Sequence, residues 1–150
     1  MGKKRVIKKT SEELLKERDT VEAKLKKEVF IAPSAQFKKG KIFVSSTYNN
    51  TLISLTNAKG DVLFWRSAGS IGFKGTKKGT SFAGSKVAEA VAVACYKLKI
   101  KEADVILKGV GGGRDAALKT LANQGLDILS VRDATPLPHN GCRPPKGRRV

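Results

Sequence analysis

Acidic side chains are scarce in this chain, and histidine, cysteine and tryptophan are close to absent. The 150 residues carry 13 Asp and Glu against 30 Lys and Arg, a formal net charge of +17. The single histidine, His139, is the only one a Ser-His-Asp arrangement could use, and it lies in a proline-rich tail. Cys95 and Cys142 do not make a disulfide framework. His139 and Cys142 supply two zinc ligands, whereas a structural site takes four. No segment approaches the ~20 apolar residues of a membrane span, and the start lacks the apolar run of a secretory signal. Transit peptides are poor in acids, while Glu12, Glu13, Glu17, Asp19 and Glu22 crowd the first residues. These absences predict a cytoplasmic protein with reduced thiols, no cofactor, no membrane partner and no small-molecule substrate.

What the chain has in excess is positive charge. A small protein this basic repels itself unless a polyanion neutralises it, and nucleic acid is the commonest such partner. A membrane surface would call for a basic amphipathic helix with a bulky apolar face, but the only tryptophan, Trp65, lies in a strand-like segment. The last stretch, Thr135 to Val150, holds four prolines, two glycines and the cations Arg143, Lys146, Arg148 and Arg149, with no acid. Proline fixes φ and removes donors, so this stretch neither extends a helix nor enters a central strand. It reads as an extended arm whose guanidinium forks match phosphate oxygens.

The organisation falls into an N-terminal arm at 1–40, a globular α/β domain at 41–133 and the tail at 134–150. In the arm, Thr10-Ser-Glu-Glu13 resembles a capping box. Leu14, Val21 and Leu25 make a thin helical stripe, and Pro33 and Gly40 bracket a linker. The domain opens with strands at 41–47, 51–56 and 62–66, joined by turns at Tyr48-Asn49-Asn50 and Asn57–Asp61. A loop is expected over 68–79, with Lys74, Lys77 and Lys78 among four glycines and beside Phe73. No acid occurs between Arg66 and Lys86, which suits close approach to phosphate. A long helix follows, with Ala83, Val87, Ala90, Val91, Ala94, Cys95 and Leu98 at three- and four-residue spacing. Cys95 falls on that stripe and reads as a small core residue. A strand over 103–108, a helix over 114–124 stopped by Gly125, and a strand over 126–131 complete the order β-β-β-α-β-α-β. Helix-linked strands predict parallel pairing, and Leu118 and Leu121 are expected to face inward.

The run Gly109-Val-Gly111-Gly112-Gly113-Arg114 precedes the second helix, where free amides and the helix dipole bind anions. An RNA phosphate is one reading. Gly111-x-Gly113-x-x-Ala116, with Asp133 about twenty residues on, also fits a loose dinucleotide fingerprint. Only one such unit occurs, whereas a dinucleotide fold needs two halves. A metal nuclease would draw on Asp61, Glu89, Asp104, Asp115, Asp127 and Asp133, of which only Asp104 is expected inside a strand. Turn, cap and surface roles account for these carboxylates as well.

The tail from Thr135 to Val150, together with Tyr48-Asn-Asn-Thr51, Ala68-Gly-Ser-Ile-Gly-Phe-Lys-Gly75 and the helix from Thr80, closely resembles small-subunit ribosomal protein eleven, bacterial type. The resemblance spans roughly 41–150. It implies a ribonuclease-H-like α/β sandwich with a mixed β-sheet and no catalysis. It also implies a structural protein that bridges small-subunit rRNA helices at the platform, near upstream mRNA and small-subunit proteins seven, eighteen and twenty-one. By motif the rRNA contacts are Asn49, Asn50, Arg66, Lys74, Lys77, Lys78, Gly111, Gly112, Gly113, Arg114, His139, Asn140, Arg143, Lys146, Arg148 and Arg149. Bases would stack on Phe73 or on Arg side chains. Where the family turn reads Gly-Pro-Gly-Pro-Gly-Arg, this chain has no proline, which predicts a turn that orders on RNA. The arm departs from the bacterial start, with Lys3, Lys4 and Arg5 as further candidate contacts.

Overall fold

A computed structural model of the chain describes residues 15, 16, 19–21, 23, 37–143 and 147. The expected features at Lys3, Lys4, Arg5, Thr10–Glu13, Leu14, Leu25, Pro33, Lys146, Arg148 and Arg149 lie outside these residues. Alternation of apolar and polar residues builds the strands. In β1 (Lys39–Ser46) Ile42, Val44 and Ser46 point one way and are buried, while Phe43 points the other. β2 (Thr51–Asn57) and β3 (Val62–Ser67) follow as antiparallel neighbours, with an irregularity in register at Leu55/Thr56. β4 (Glu102–Lys108) and β5 (Asp127–Asp133) then add in parallel on the other side of β1. The sheet order is β3-β2-β1-β4-β5.

The segment expected as a loop over 68–79 is instead largely helical. Ser67 Oγ accepts from the Ser70 amide (3.2 Å), and Ser70 Oγ accepts from the Ser67 amide (3.0 Å). This reciprocal cap uses serine where glutamate is usual, and it starts the short helix α1 (Ala68–Ile71). Gly72, at φ +121°, ends it, and a 3-10 helix (Gly75–Gly79) follows. β5 also runs to Asp133, past the expected end at 131. Asp127 and Asp133 therefore bound a strand, so Asp104 is not alone among strand acids; its Oδ1 accepts from Ser130 Oγ on β5 (2.5 Å).

Helix α2 (Ser81–Lys97) buries Ala83, Gly84, Val87, Ala88, Ala90, Val91, Ala92, Ala94 and Cys95 against β2 and β3. The stripe of small side chains lets the helix lie close to the sheet and to helix α3 (Gly113–Asn123), which covers β1 and β4. α3 contributes fully buried Ala117 and Leu121, with Leu118 partly buried at the core's edge, and Gly125 follows it at φ +77°. Ile42, Val44, Ile53, Leu55, Val105 and Leu107 meet these helices from the sheet. Each such side chain contributes about 1.5–3 kcal/mol on burial. Among the described residues of the arm, 15, 16, 19–21 and 23 are helical, and Val21 packs partly buried against the core. The result is the mixed five-stranded α/β sandwich the resemblance implies.

Burial settles the state of Cys95. Loss of solvation disfavours the thiolate and pushes its thiol up to about 12. Cys142 is exposed. Native protein at pH 8 is therefore expected to take up one equivalent of a maleimide, at Cys142, and two in denaturant. Fast labelling of two thiols without denaturant would mean that α2 is not docked as described.

Candidate nucleic-acid interface

Segments far apart in sequence meet beyond the C-terminal ends of β1 and β4. The first is the β1–β2 turn. Thr47 N donates to Asn50 O (2.9 Å), and the Asn50 amide donates to Thr47 Oγ1 (3.1 Å), which leaves Tyr48 80% exposed and Asn49 exposed at the tip. The second is the end of the 3-10 helix, where Gly79 lies so close to the turn that a Cβ there would stand 2.1 Å from Tyr48 O. The third is the Gly109–Arg114 turn. A Cβ on Gly111 would meet Thr47 O at 2.3 Å, and one on Gly113 would meet Thr51 Oγ1 at 2.2 Å. Ser81 Oγ donates to Gly112 O (3.0 Å) and ties the start of α2 to the same turn.

This geometry decides what the glycines do. In a dinucleotide site, glycines let the backbone approach a pyrophosphate. Here the space beside Gly111 and Gly113 is filled by the buried Ser46–Thr51 pair and the β1–β2 turn. Asp133, the other half of that fingerprint, is also engaged. It accepts from Arg114 Nη1 (2.9 Å), from the Thr135 amide (2.9 Å) and from Thr135 Oγ1 (2.6 Å). Among the described residues no group of His, Cys, Asp and Glu is placed to hold a metal ion.

The turn has hydrogen-bond partners within the chain. Gly111 N donates to Ser46 O (3.0 Å), and Gly109 N donates to Thr135 Oγ1 (3.0 Å). Arg114 Nη1 also donates to Gly109 O (3.2 Å). These bonds replace the restraint that prolines would give, and they root the tail beside the turn. Arg114, half-buried, is thus tied to the turn, with its charge offset by Asp133.

The other expected contacts are placed more simply. Lys74, Lys77 and His139–Arg143 are exposed, and Lys78 is half-buried, its stem beside Gly69. Arg66 sits on β3 with its guanidinium 5.4 Å from the centre of the Phe64 ring. Phe73, expected as a stacking ring, is half-buried against the core; Phe82 stands out instead at 60% exposure. Sequence reasoning passed over Phe82 because it opens a strong helix. The available signal was its phase, one residue off the Ala83–Val87 stripe.

Asp133 links this site to pH. Its carboxyl is held below the ordinary 3.8 by the Thr135 hydroxyl first, then by the Thr135 amide, with Arg114 adding to both. A carboxyl depressed on folding supports the structure above its ordinary range and stops doing so as pH falls through the lowered value. The Thr135 amide resonance is expected to titrate with a midpoint below the ordinary aspartate value. A midpoint at or above it would mean that the Arg114–Asp133–Thr135 bonds do not form in solution.

A mixed sheet covered by small-residue helices, with glycines committed to packing and cations at the rim, makes a scaffold with a basic edge. A profile described as Ribosomal protein S11 matches residues 40–149. Small ribosomal subunit protein uS11c of Pleurastrum terricola is 47% identical over 128 residues, covering 85% of this chain and 99% of that protein. The uS11c of Cyanidioschyzon merolae is 51% identical over 113 residues, 75% of this chain and 93% of its own length. That of Trieres chinensis is 43% identical over 127 residues, 85% and 98% respectively. The chain belongs to the Ribosomal protein S11 family, structural constituents of the small ribosomal subunit and not enzymes. The expectation of a cytoplasmic protein accordingly becomes that of a ribosome component, whichever compartment holds that ribosome.

Proposed function

We propose that this protein bridges small-subunit rRNA helices at the platform, near the path of upstream mRNA, with small-subunit proteins seven, eighteen and twenty-one as neighbours. The observation that carries the reading is the convergence of the Thr47–Asn50 turn, the 3-10 helix and the Gly109–Arg114 turn at one end of the sheet. There the α2 N-terminus has no acid in its first turn, and Lys77 and Lys78 lie just before it. Helix N-termini and surface lysines together favour phosphate. In this reading the 41–133 domain holds the RNA-facing loops, and the 1–40 arm and 134–150 tail lie along RNA. Asn49, Asn50, Lys74, Lys77, Lys78, His139, Asn140, Arg143, Lys146, Arg148 and Arg149 make the contacts, and Arg66 reaches RNA from the edge of the sheet. Gly112, exposed, offers backbone, while Gly111, Gly113 and Arg114 shape the turn.

The test is assembly. Tagged full-length protein, expressed in cells whose own copy can be depleted, is expected to co-sediment with small subunits through a high-salt wash and to restore them. A protein that stays in the soluble fraction while small subunits form normally would contradict the proposal. Chemical probing of the rescued subunits locates the protected rRNA and reads whether the platform is the site.

A further inference from the structure

We propose that Phe82 is a stacking platform for one unpaired RNA base at the rim of this interface; the proposal rests on the RNA-scaffold reading and names a contact within it. Phe82 follows Ser81, whose hydroxyl is bonded to Gly112 O, so the ring stands beside the point where the loops converge. It is 60% exposed on the polar side of α2 and is not one of the residues of the core.

The ring is nonetheless held. Phe73, packed against the core, meets it edge to face, with centroids 5.9 Å apart and planes at 86°. Lys86 Nζ lies 5.8 Å from its centroid, and Glu89 fixes that ammonium at 2.8 Å. An aromatic ring fixed by neighbours yet open to solvent offers a base a surface with little left to order on binding. The chain leading to it is basic, with no acid between Arg66 and Lys86, and Lys86 itself is paired with Glu89. Stacking on a ring flanked by backbone-tracking cations is how proteins hold single-stranded nucleic acid, and it tolerates any base. Phe73, for its part, anchors the ring and does not receive the base.

The test uses full-length protein and a twelve-nucleotide single-stranded RNA carrying 2-aminopurine, whose fluorescence falls on stacking. Phe82→Ala is expected to bind this RNA roughly tenfold or more weakly at fixed salt, to abolish the quench, and to leave the salt slope unchanged because no charge is lost. Phe82→Tyr is expected to restore both affinity and quench. Lys74→Gln is expected to do the reverse of Phe82→Ala, lowering the salt slope and leaving the quench. Equal affinity and quench for Phe82→Ala and wild type would overturn the platform while leaving the RNA reading intact. Reduced incorporation of Phe82→Ala into small subunits, with RNA binding unchanged, would make the ring a protein-docking group and also overturn it. A wild-type protein that fails to bind this single strand would overturn the platform, and the scaffold reading would stand or fall on assembly.

Discussion

Gly109→Ala is expected to destabilise the domain by about 2–4 kcal/mol, a large share of the ~5–15 kcal/mol that holds a domain folded. Independent costs meet at this residue. Its φ is +93°, where a Cβ strains the backbone by about 1–2 kcal/mol. The added Cβ would also stand 2.2 Å from Ser46 O, a backbone atom of the central strand that has nowhere to move. The control lies three residues on. A Cβ on Gly112 would meet only Ser81 Oγ at 3.6 Å and Gly79 O at 3.8 Å, ordinary contacts, and its φ is −64°. Gly112→Ala is therefore expected to change stability by less than about 0.5 kcal/mol. Urea unfolding of both variants checks the pair. Equal midpoints would mean that the turn is not packed against β1, and the convergence of loops would lose its basis.

The second large effect concerns the tail. Removing residues 143–150 takes away Arg143, Lys146, Arg148 and Arg149, and none of the core formed by the described residues. The truncated protein is expected to keep its unfolding midpoint. Its affinity for small-subunit rRNA is expected to fall on the order of 100-fold at about 50 mM salt, with the salt slope smaller by about 3, since each lost phosphate contact removes roughly 0.7–0.9. The same truncation should impair entry into small subunits. Unchanged affinity and slope would remove the tail from the RNA contacts, and a lowered unfolding midpoint would give it a packing role instead.

Much of the fold was legible because it depends on periodicity. Ile42, Val44, Ile53 and Leu55 alternate, and Ala83, Val87, Val91 and Cys95 repeat at helical spacing, so the elements, their order and the buried thiol follow from the pattern. The 68–79 segment was not legible, because its helix is started by a Ser67–Ser70 pair and ended by Gly72, features that read as loop composition. The glycine turn was half legible. Its position between β4 and α3 follows from the sequence, but its partner does not. Whether a glycine makes room for a ligand or for Thr51 of the same chain depends on which strand lies beneath it, and that is set by long-range pairing. The engagement of Arg114 by Asp133 was hidden for the same reason, since the pair is nineteen residues apart and meets only through the parallel register of β4 and β5. Charge counting marks Arg114 as a phosphate contact, and the geometry adds its bonds to Gly109 O and Asp133.

That division of labour, with glycines and Arg114 shaping a rim from which lysines and the tail reach RNA, is the core of the account. Its most direct test is equilibrium binding of the full-length protein to a platform fragment of small-subunit rRNA across a salt series, with an unrelated structured RNA as competitor. The account predicts tight binding that survives the competitor, with a negative salt slope of several units. Equal affinity for the two RNAs would contradict it, because unspecific charge would then explain the binding and the built surface would have no part in choosing the RNA.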